Sequence, residues 1–155
     1  MLRIKIIAAG KIRERYLQEG IVAYRRSLAA YAWVDIVEVA DEPCPPRLSR
    51  AEEENVKVRE GERLLGRVCA DDFVILLDVE GREMDSPAFA RMLKSVAERG
   101  KTGLVFIIGG SLGVAERVRR RADFRWSFSR LTFPHQLIRL ALLEQLDRTL
   151  VGKPE

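Results

Sequence analysis

Two uninterrupted apolar runs, residues 73–77 and 104–108, constrain the fold of this chain more than any other feature of its sequence. Neither run alternates between apolar and polar residues, as a strand with one face in solvent would. Strands that are apolar on both faces are typical of parallel sheets covered by helices on both sides. Both runs therefore predict central strands of a parallel sheet in an α/β fold.

Shorter apolar runs predict three further strands, and helix-length segments separate most of the strands. The strands are predicted at residues 2–8, 34–39, 73–79, 104–108 and 126–131. The helices are predicted at residues 12–31, 49–66, 86–99, 114–122 and 134–150. Ser49 with Glu52 fits a capping box, and Ser86 followed by Pro87 fits a cap with proline in the first helical position. The alternation indicates an α/β fold.

The length of 155 residues suits a single domain over residues 1–155 with its own core. Charges within the first apolar stretch argue against a signal peptide, and no apolar run approaches the roughly 20 residues of a membrane span. Cys44 and Cys69 are too few and too far apart for a zinc cluster, and we interpret both thiols as structural. We therefore expect a cytoplasmic protein with neither a membrane segment nor a metal site.

The last predicted helix is apolar around most of its circumference. Its apolar residues are Leu137, Ile138, Leu140, Ala141, Leu142, Leu143, Leu146 and Leu150. Such a helix must be buried, and one of its faces can pack on the sheet. In a chain of this size we expect the other face to meet a second subunit, which predicts a homodimer through this helix. A helix buried wholly within one chain is the alternative.

Glycines follow both of the buried strands. Gly81 comes shortly after the first, and Gly109 and Gly110 come directly after the second and before a helix. Ligands of open α/β sheets bind outside the carboxyl ends of the strands, so these turns predict a pocket. Asp78 would either accept a hydrogen bond from the ligand or form the turn. A dinucleotide fingerprint and a Walker A lysine are absent, and plain strand-to-helix turns are the alternative to a ligand site.

His135 is the only histidine of the chain, and Pro134 places it in the first turn of the last helix. Imidazole is the side chain best suited to proton transfer near neutral pH. No acid or nucleophile stands beside it in the sequence. The alternative is therefore a structural histidine that the helix dipole keeps neutral.

Arginines concentrate beside the predicted pocket, where Arg119, Arg120 and Arg121 are consecutive and Trp126 follows. Basic residues interleaved with an aromatic fit an RNA backbone with a stacked base. The net charge is only +4, with 27 basic and 23 acidic residues, so composition alone does not require an anionic partner. A solvated helix face is the alternative.

Several motifs, taken in order, resemble those of one family. They are Leu77-Asp78-x-x-Gly81, Ile108-Gly109-Gly110-x-x-Gly113, and Ser127-x-Ser129-x-Leu131-Thr132-Phe133-Pro134-His135-Gln136-Leu137-x-Arg139 running into Leu143-Glu144-Gln145-Leu146. Gly10-Lys11 and Tyr24-x-Arg26 also match near the amino end. Over nearly its whole length, to about Arg148, the chain resembles the bacterial 23S rRNA pseudouridine N3-methyltransferases of the SPOUT superfamily.

The resemblance implies a mostly parallel sheet flanked by helices with a C-terminal trefoil knot. It also implies a homodimer whose subunits both shape each active site. The implied reaction is methylation of N3 of a pseudouridine in 23S rRNA of assembled ribosomes, with S-adenosyl-L-methionine as the cofactor. The implied cofactor contacts are Leu77, Gly109, Phe128, Ser129, Arg130, Leu131, Thr132 and Phe133.

His135 and Arg139, both within the last long motif, are the candidate catalytic residues. His135 would act as the base or orienter for the N3 proton, and Arg139 as an electrostatic partner of the developing anion. Arg119, Arg120 and Arg121 are the candidate RNA contacts.

The chain departs from the family at its carboxyl end. Family members typically end in Gly-x-Pro-Tyr-His and a basic residue, whereas this chain reads Val151-Gly152-Lys153-Pro154-Glu155. Asp147 also stands where an aromatic residue is usual. We expect cofactor binding to survive these differences. The alternative function is that of a catalytically impaired protein that binds the ribosome or RNA and still binds the cofactor.

Overall fold

In a computed structural model of the chain, residues 1–43, 45–100 and 103–152 are described. Five parallel strands form one sheet in the order β2-β1-β4-β3-β5. They are β1 (Leu2–Ala9), β2 (Ala32–Val39), β3 (Phe73–Glu83), β4 (Leu104–Ile108) and β5 (Phe124–Ser127). The two apolar runs lie side by side as β3 and β4. The predicted parallel sheet is confirmed.

Helices lie between the strands in the described part of the chain. They are α1 (Arg15–Leu28), α2 (Arg50–Leu65), α3 (Ser86–Glu98), α4 (Glu116–Arg121) and α5 (His135–Asp147), and a π-helical segment, Arg148–Gly152, follows α5. The helices cover both faces of the sheet. Residues of α1, α3 and α5 share one buried cluster with the sheet, and residues of α2 and α4 belong to the other. All five residues of β4 are buried, which confirms the reading of its apolar run.

The two predicted helix caps have different outcomes. The capping box of α2 is confirmed, because Ser49 Oγ accepts from the N–H of Glu52 at 3.1 Å and Glu52 Oε1 accepts from the N–H of Ser49 at 3.2 Å. The cap of α3 is Asp85, so the prediction of Ser86 is wrong. Asp85 Oδ1 accepts from the N–H of Ala88 at 2.8 Å. Ser86 lies inside the helix and donates to Gln145 at 2.6 Å.

The predicted end of β3 is wrong because a non-local contact extends the strand. Leu77 and Arg82 both lie opposite Trp126 of β5, so the residues between them bulge and the pairing resumes. A Cβ at Gly81 would lie 2.5 Å from the backbone oxygen of Arg125, and glycine therefore permits the close approach of the two strands.

The predicted bounds of β5 are also wrong, since it spans Phe124–Ser127 and residues 128–131 form a loop. Side chain to backbone hydrogen bonds compete with strand pairing in this loop. Ser127 Oγ donates to the carbonyl of Ser129 at 3.1 Å, and Ser129 Oγ accepts from the N–H of Leu131 at 3.0 Å. Both α1 and α4 begin later than predicted, because the residues before them are extended.

Helix α5 packs on the sheet through Leu142, Leu143 and Leu146, which are fully buried. This confirms the burial of one face. Helix α1 covers another part of α5, where a Cβ at Gly20 would lie 2.8 Å from Leu140 Cδ1. This contact between α1 and α5 was not predicted from the sequence. The homodimer and the trefoil knot stay predictions.

Within the described ranges, no helix has the length and apolar character needed to cross a bilayer. The same ranges contain no group of three or more His, Cys, Asp and Glu side chains placed to hold a metal ion. Cys69 is exposed and carries a free thiol, so the prediction that its side chain is structural is wrong. Cys44 lies outside the described residues, as do residues 153–155, on which the difference at the carboxyl end depends.

Candidate functional site

A cavity of about 390 Å³ lies beside the bulge of β3 and the carboxyl end of β4. Pockets for small molecules have volumes of roughly 300–1,000 Å³. Its walls are formed by Leu77, Asp78, Val79 and Glu80 at the bulge of β3, by residues 108–114 at the end of β4 and in the turn after it, by Trp126, Phe128, Ser129, Leu131, Thr132, Phe133, His135 and Ile138, and by Lys57 and Arg119. The predicted cavity is therefore present and is lined by the glycines after β4, whereas Gly81 packs against β5 and does not line it.

The turn after β4 is tight and requires glycine. The N–H of Gly113 donates to the carbonyl of Gly110 at 3.1 Å, and Gly113 has a φ of 89°, in the left-handed region that favours glycine. A Cβ at Gly109 would lie 2.5 Å from Val114 Cγ1. Gly109 therefore presents backbone to the cavity at a position where any side chain would displace Val114.

Asp78 stabilises the bulge of β3. Asp78 Oδ1 accepts from the N–H of Glu80 at 3.0 Å, and Asp78 Oδ2 lies 3.4 Å from Arg125 Nη1. Of the two roles left open by the sequence, the structure shows that of a turn former, although Asp78 also lines the cavity. The partner arginine is 43% exposed, so this ion pair contributes little to stability.

The loop between β5 and α5 forms the outer wall of the cavity. Trp126 anchors it, since its ring stacks on Phe89 at 4.4 Å between centroids and meets Phe128 edge-on at 4.5 Å. Leu131 and Phe133 are 67% and 39% exposed, so two apolar side chains stand in solvent at the cavity. Exposed apolar groups of this size mark contact surfaces.

Seven of the eight predicted cofactor contacts line this cavity. They are Leu77, Gly109, Phe128, Ser129, Leu131, Thr132 and Phe133. Arg130 belongs to the same loop, but it is exposed and does not line the cavity. The structure thus brings together residues that are up to 56 positions apart in the sequence, while their role as cofactor contacts stays a prediction.

His135 lines the cavity at the first residue of α5. Burial lowers the pKa of its imidazole below the ordinary value, and the charge of Arg139 lowers it further, while Asp41 acts in the opposite direction. The imidazole is therefore neutral near pH 7 and can accept a proton. A side chain of this kind at a cavity wall suits a general base.

Arg139 is 1% exposed and does not line the cavity. Its Nη1 donates to Glu38 Oε2 at 2.7 Å, and its Nη2 donates to the carbonyl of Gly10 at 3.1 Å. The guanidinium therefore links α5 to β2 and to the turn after β1. The catalytic role of Arg139 stays a prediction. In this structure its positive charge lowers the pKa of His135, which lines the cavity.

Comparison with known proteins identifies the family. The chain matches the model of the family described as "Predicted SPOUT methyltransferase" over residues 2–151. The chain belongs to the SPOUT methyltransferase family. It is 59% identical to the Ribosomal RNA large subunit methyltransferase H of Desulfitobacterium hafniense over 150 residues, which are 97% of this chain and 94% of the relative. The protein of the same name from Carboxydothermus hydrogenoformans is 49% identical over 147 residues, 95% and 92% of the two chains.

These matches confirm the resemblance that the motifs indicated, and the protein is a methyltransferase of the SPOUT type. A third relative, the Ribosomal RNA large subunit methyltransferase H of an Exiguobacterium species, is 47% identical over 147 residues, 95% and 92% of the two chains. A methyltransferase requires a methyl donor, and the cavity of this SPOUT methyltransferase has a volume that suits a small molecule of that kind.

Glu60 is buried beside the cavity of this SPOUT methyltransferase and was not among the site residues predicted from the sequence. Glu60 is 4% exposed. Its Oε2 accepts from the N–H of Glu42 at 2.9 Å, and a Cβ at Gly110 would lie 2.7 Å from its Oε1. The spacing of Glu60 in the sequence indicates its burial, because it lies one helical turn from the apolar residues Val56 and Leu64, which are buried as well.

The three predicted RNA contacts on α4 are placed in different ways. Arg119 lines the cavity and donates to the carbonyl of Val114 at 2.8 Å. Arg121 donates to the backbone carbonyls of Cys69 and Asp72 at 3.1 and 3.0 Å. Arg120 is exposed. Two of these side chains therefore bind the protein's own backbone, and the RNA-binding role of all three stays a prediction.

Proposed function

We propose that this SPOUT methyltransferase transfers a methyl group from S-adenosyl-L-methionine to N3 of a pseudouridine in 23S rRNA of the assembled ribosome. The observation that carries the proposal is the cavity beside the bulge of β3 and the end of β4, which gathers seven residues that the family motifs mark as cofactor contacts. The names of the relatives specify ribosomal RNA of the large subunit, which supports this RNA as the substrate class.

The chemistry of the cavity fits S-adenosylmethionine. This molecule combines an apolar purine face with a positively charged sulfonium and an amino-acid end. Leu77 and Phe133 offer apolar surface, while the backbone of the turn at Gly109 and the carboxylates of Asp78 and Glu80 offer polar groups. Gly109 leaves open the space that a side chain would otherwise take from the ligand or from Val114.

When bound, S-adenosylmethionine supplies a methyl group on a sulfonium, so that the bond to N3 forms as the bond to sulfur breaks and S-adenosylhomocysteine leaves. The protein's own part is to align the base and to take up the N3 proton. We assign the proton to the imidazole of His135, which lines the cavity and has a pKa lowered by burial. Arg139 supports this role by its charge, which favours the neutral imidazole.

We propose further that residues 1–155 form one domain and that the enzyme is a homodimer through α5. Leu131 and Phe133, just before α5, are exposed apolar side chains that a second subunit would cover, thereby enclosing the cavity. Of the three arginines predicted to contact RNA, Arg120 is exposed and would contact the RNA backbone beside the cavity, while Arg119 and Arg121 bind the protein's own backbone. Action on ribosomes also requires a cytoplasmic location.

The first test is binding. Calorimetry with S-adenosylmethionine, S-adenosylhomocysteine and NAD should show binding of the first two alone. Gly109→Ala should weaken S-adenosylhomocysteine binding about tenfold or more, because overpacking costs roughly 1–3 kcal/mol. Gly66→Ala, at the end of α2 and outside the cavity lining, is the matched control and should bind as the wild type does. Binding of NAD without S-adenosylmethionine would contradict the proposal.

The second test is methyl transfer. Ribosomes lacking the modification are incubated with the protein and with S-adenosylmethionine labelled in its methyl group, and 23S rRNA nucleosides are separated afterwards. We expect label in a single N3-methylated pseudouridine. Cofactor binding without label in RNA would favour the alternative of a catalytically impaired protein that binds RNA. Label at another base would overturn the proposed specificity while leaving the methyltransferase activity in place.

A further inference from the structure

Glu60 is a buried carboxylate on α2. It lies between Val56 and Leu64, which are buried one helical turn away on either side. Only one of its oxygens has a polar contact, since Oε2 accepts from the N–H of Glu42 at 2.9 Å. Oε1 is buried and has no hydrogen-bond partner among the residues that the structure describes. Such a group is costly to bury, so its retention needs a reason.

The unpartnered oxygen faces the turn that lines the cavity. A Cβ at Gly110 would lie 2.7 Å from Glu60 Oε1 and 3.1 Å from Oε2, so the carboxyl packs directly against the backbone of Gly110. Gly109, Gly110 and Ser111 all line the cavity. The position of the carboxyl therefore sets how far this turn can approach α2.

The same carboxyl contacts the segment after β2. Helix α2 holds this segment in two further places, because Arg63 donates to the carbonyl of Ala40 at 3.0 Å and to Glu42 Oε1 at 2.6 Å. The segment also carries Asp41, whose charge acts on His135 at the other side of the cavity. Glu60 thus joins the turn after β4 to a segment that faces the candidate base.

We propose that Glu60 is a positioning residue of the methyl-donor pocket, with its carboxyl fixing the turn at Gly109-Gly110 against the segment after β2. The inference rests on the proposed function, because it takes the cavity as the site of the methyl donor. Burial raises the pKa of Glu60, and Asp41 and Glu42 raise it further, against the opposing effects of the Glu42 N–H and Arg63. The fold therefore keeps this carboxyl at a cost to stability, as expected of a group retained for a site.

A double-mutant cycle tests the contact. Affinity for S-adenosylhomocysteine is measured by calorimetry for the wild type, Glu60→Ala, Gly110→Ala and the double variant. We expect each single variant to bind about tenfold more weakly, a loss of roughly 1.4 kcal/mol. In the double variant the Cβ at position 110 occupies the space that the carboxyl leaves. Its loss should therefore be smaller than the product of the two single losses.

Two further variants separate positioning from general destabilisation. Glu60→Gln keeps the shape and the acceptor for the Glu42 N–H, and we expect it to restore binding to within about threefold of the wild type. Glu62→Ala, an exposed neighbour on the same helix, is the matched control and should leave binding unchanged. Urea unfolding of every variant shows whether it is folded under the conditions of the titration.

Hydrogen exchange of the ligand-free protein gives a readout that does not need the donor. In Glu60→Ala, exchange should rise at residues 109–112 and at Glu42, while β4 keeps its protection. Multiplicative losses in the cycle, together with unchanged exchange in the turn, would overturn the assignment of Glu60. Failure of the wild type to bind S-adenosylhomocysteine would overturn the proposed function instead, and the exchange experiment would still decide whether Glu60 holds the turn.

Discussion

Arg139 on α5 and Glu60 on α2 are both buried charged side chains next to the cavity, yet their surroundings differ. Arg139 meets an opposite charge, Glu38, at 2.7 Å and a backbone carbonyl at 3.1 Å. Glu60 has a single N–H donor within the described residues, and its nearest charged neighbours include the acids Asp41 and Glu42. Each keeps one buried atom without a hydrogen-bond partner among the described residues, Nε of Arg139 and Oε1 of Glu60, but only Arg139 forms a hydrogen bond to a group of opposite charge.

The difference indicates what each side chain does for the molecule. Only Arg139 is buried in its ion pair, since the Glu38 side chain is 39% exposed, and removing Glu38 would leave the buried guanidinium without its charged partner. Arg139 therefore ties α5 to β2 and to the turn at Gly10 as part of the fold. A buried carboxyl beside other carboxylates lowers stability. Glu60 is better explained by the turn that it positions than by the energy that it contributes.

The largest effect is expected for Arg139→Ala. The change leaves Glu38 without its partner and opens a cavity in α5, which should lower the free energy of unfolding by about 2–4 kcal/mol. Urea unfolding at pH 7 measures this loss. Glu38→Gln should lose less, because the Glu38 side chain is 39% exposed and water replaces part of the contact. A variant Arg139→Ala of wild-type stability that fails to methylate RNA would instead give Arg139 a catalytic role.

Whereas Arg139→Ala should lower the free energy of unfolding, a substitution that neutralises Glu60 should raise it as the pH increases. Its pKa is raised above 4.5, so the folded protein binds the proton more tightly than the unfolded chain does. The resulting stabilisation is fully present below about pH 4.5 and is lost as the pH rises through the folded pKa. Glu60→Gln has no such loss. Its unfolding free energy, relative to the wild type, should therefore increase between pH 4 and pH 8.

This effect should be smaller than that of Arg139→Ala, and urea unfolding at several pH values measures it. Glu62→Gln, on the exposed side of α2, serves as the control for removing a carboxylate from this helix. Parallel curves for Glu60→Gln and the wild type would show that the carboxyl is not perturbed by its burial. The contrast with Arg139 would then fail.

The charge of Arg139 should also be visible at His135. The chain has one histidine, so the imidazole Cε1–H gives one resonance whose titration is read by NMR. Arg139→Met removes a positive charge and should raise the pKa of His135, whereas Asp41→Asn removes a negative charge and should lower it. Burial is the largest cause of the shift, so the pKa in Arg139→Met should stay below 6.5. Shifts in the reverse directions would contradict the assigned charges.

Local patterns predicted the parts of the structure that depend on local causes. The observed bounds of β4 agree with the prediction, because an uninterrupted apolar run of this length is typical of a strand that helices cover on both faces. The glycines after β4 line the cavity as predicted, whereas Gly81 lies within β3 and does not. The continuation of β3 to Glu83 depends on pairing with β5, and no local signal reports that pairing.

The buried charges lie beyond local patterns for the same reason. Arg139 and Glu38 are 101 positions apart, and Arg139 and Gly10 are 129 apart, so their contact exists only after the chain has folded. The family motifs contained Gly10 and Arg139 but gave no hint that the two touch. Glu60 was detectable only as an acid at a helical spacing between Val56 and Leu64, a pattern that ordinarily predicts an apolar residue.

The smallest predicted effect applies the same contrast to the arginines of α4. Arg121 is occupied by two backbone carbonyls, whereas Arg120 is exposed and available to phosphate. Arg120→Ala should reduce the slope of log affinity for ribosomes against log salt by about 0.9, the value of one phosphate contact. Arg121→Ala should leave the slope unchanged and lower the unfolding free energy by about 1 kcal/mol. Equal loss of slope in both variants would show that Arg121 contacts RNA although it binds backbone carbonyls of its own chain. The contrast between partnered and unpartnered groups, drawn from Arg139 and Glu60, would then not extend to α4.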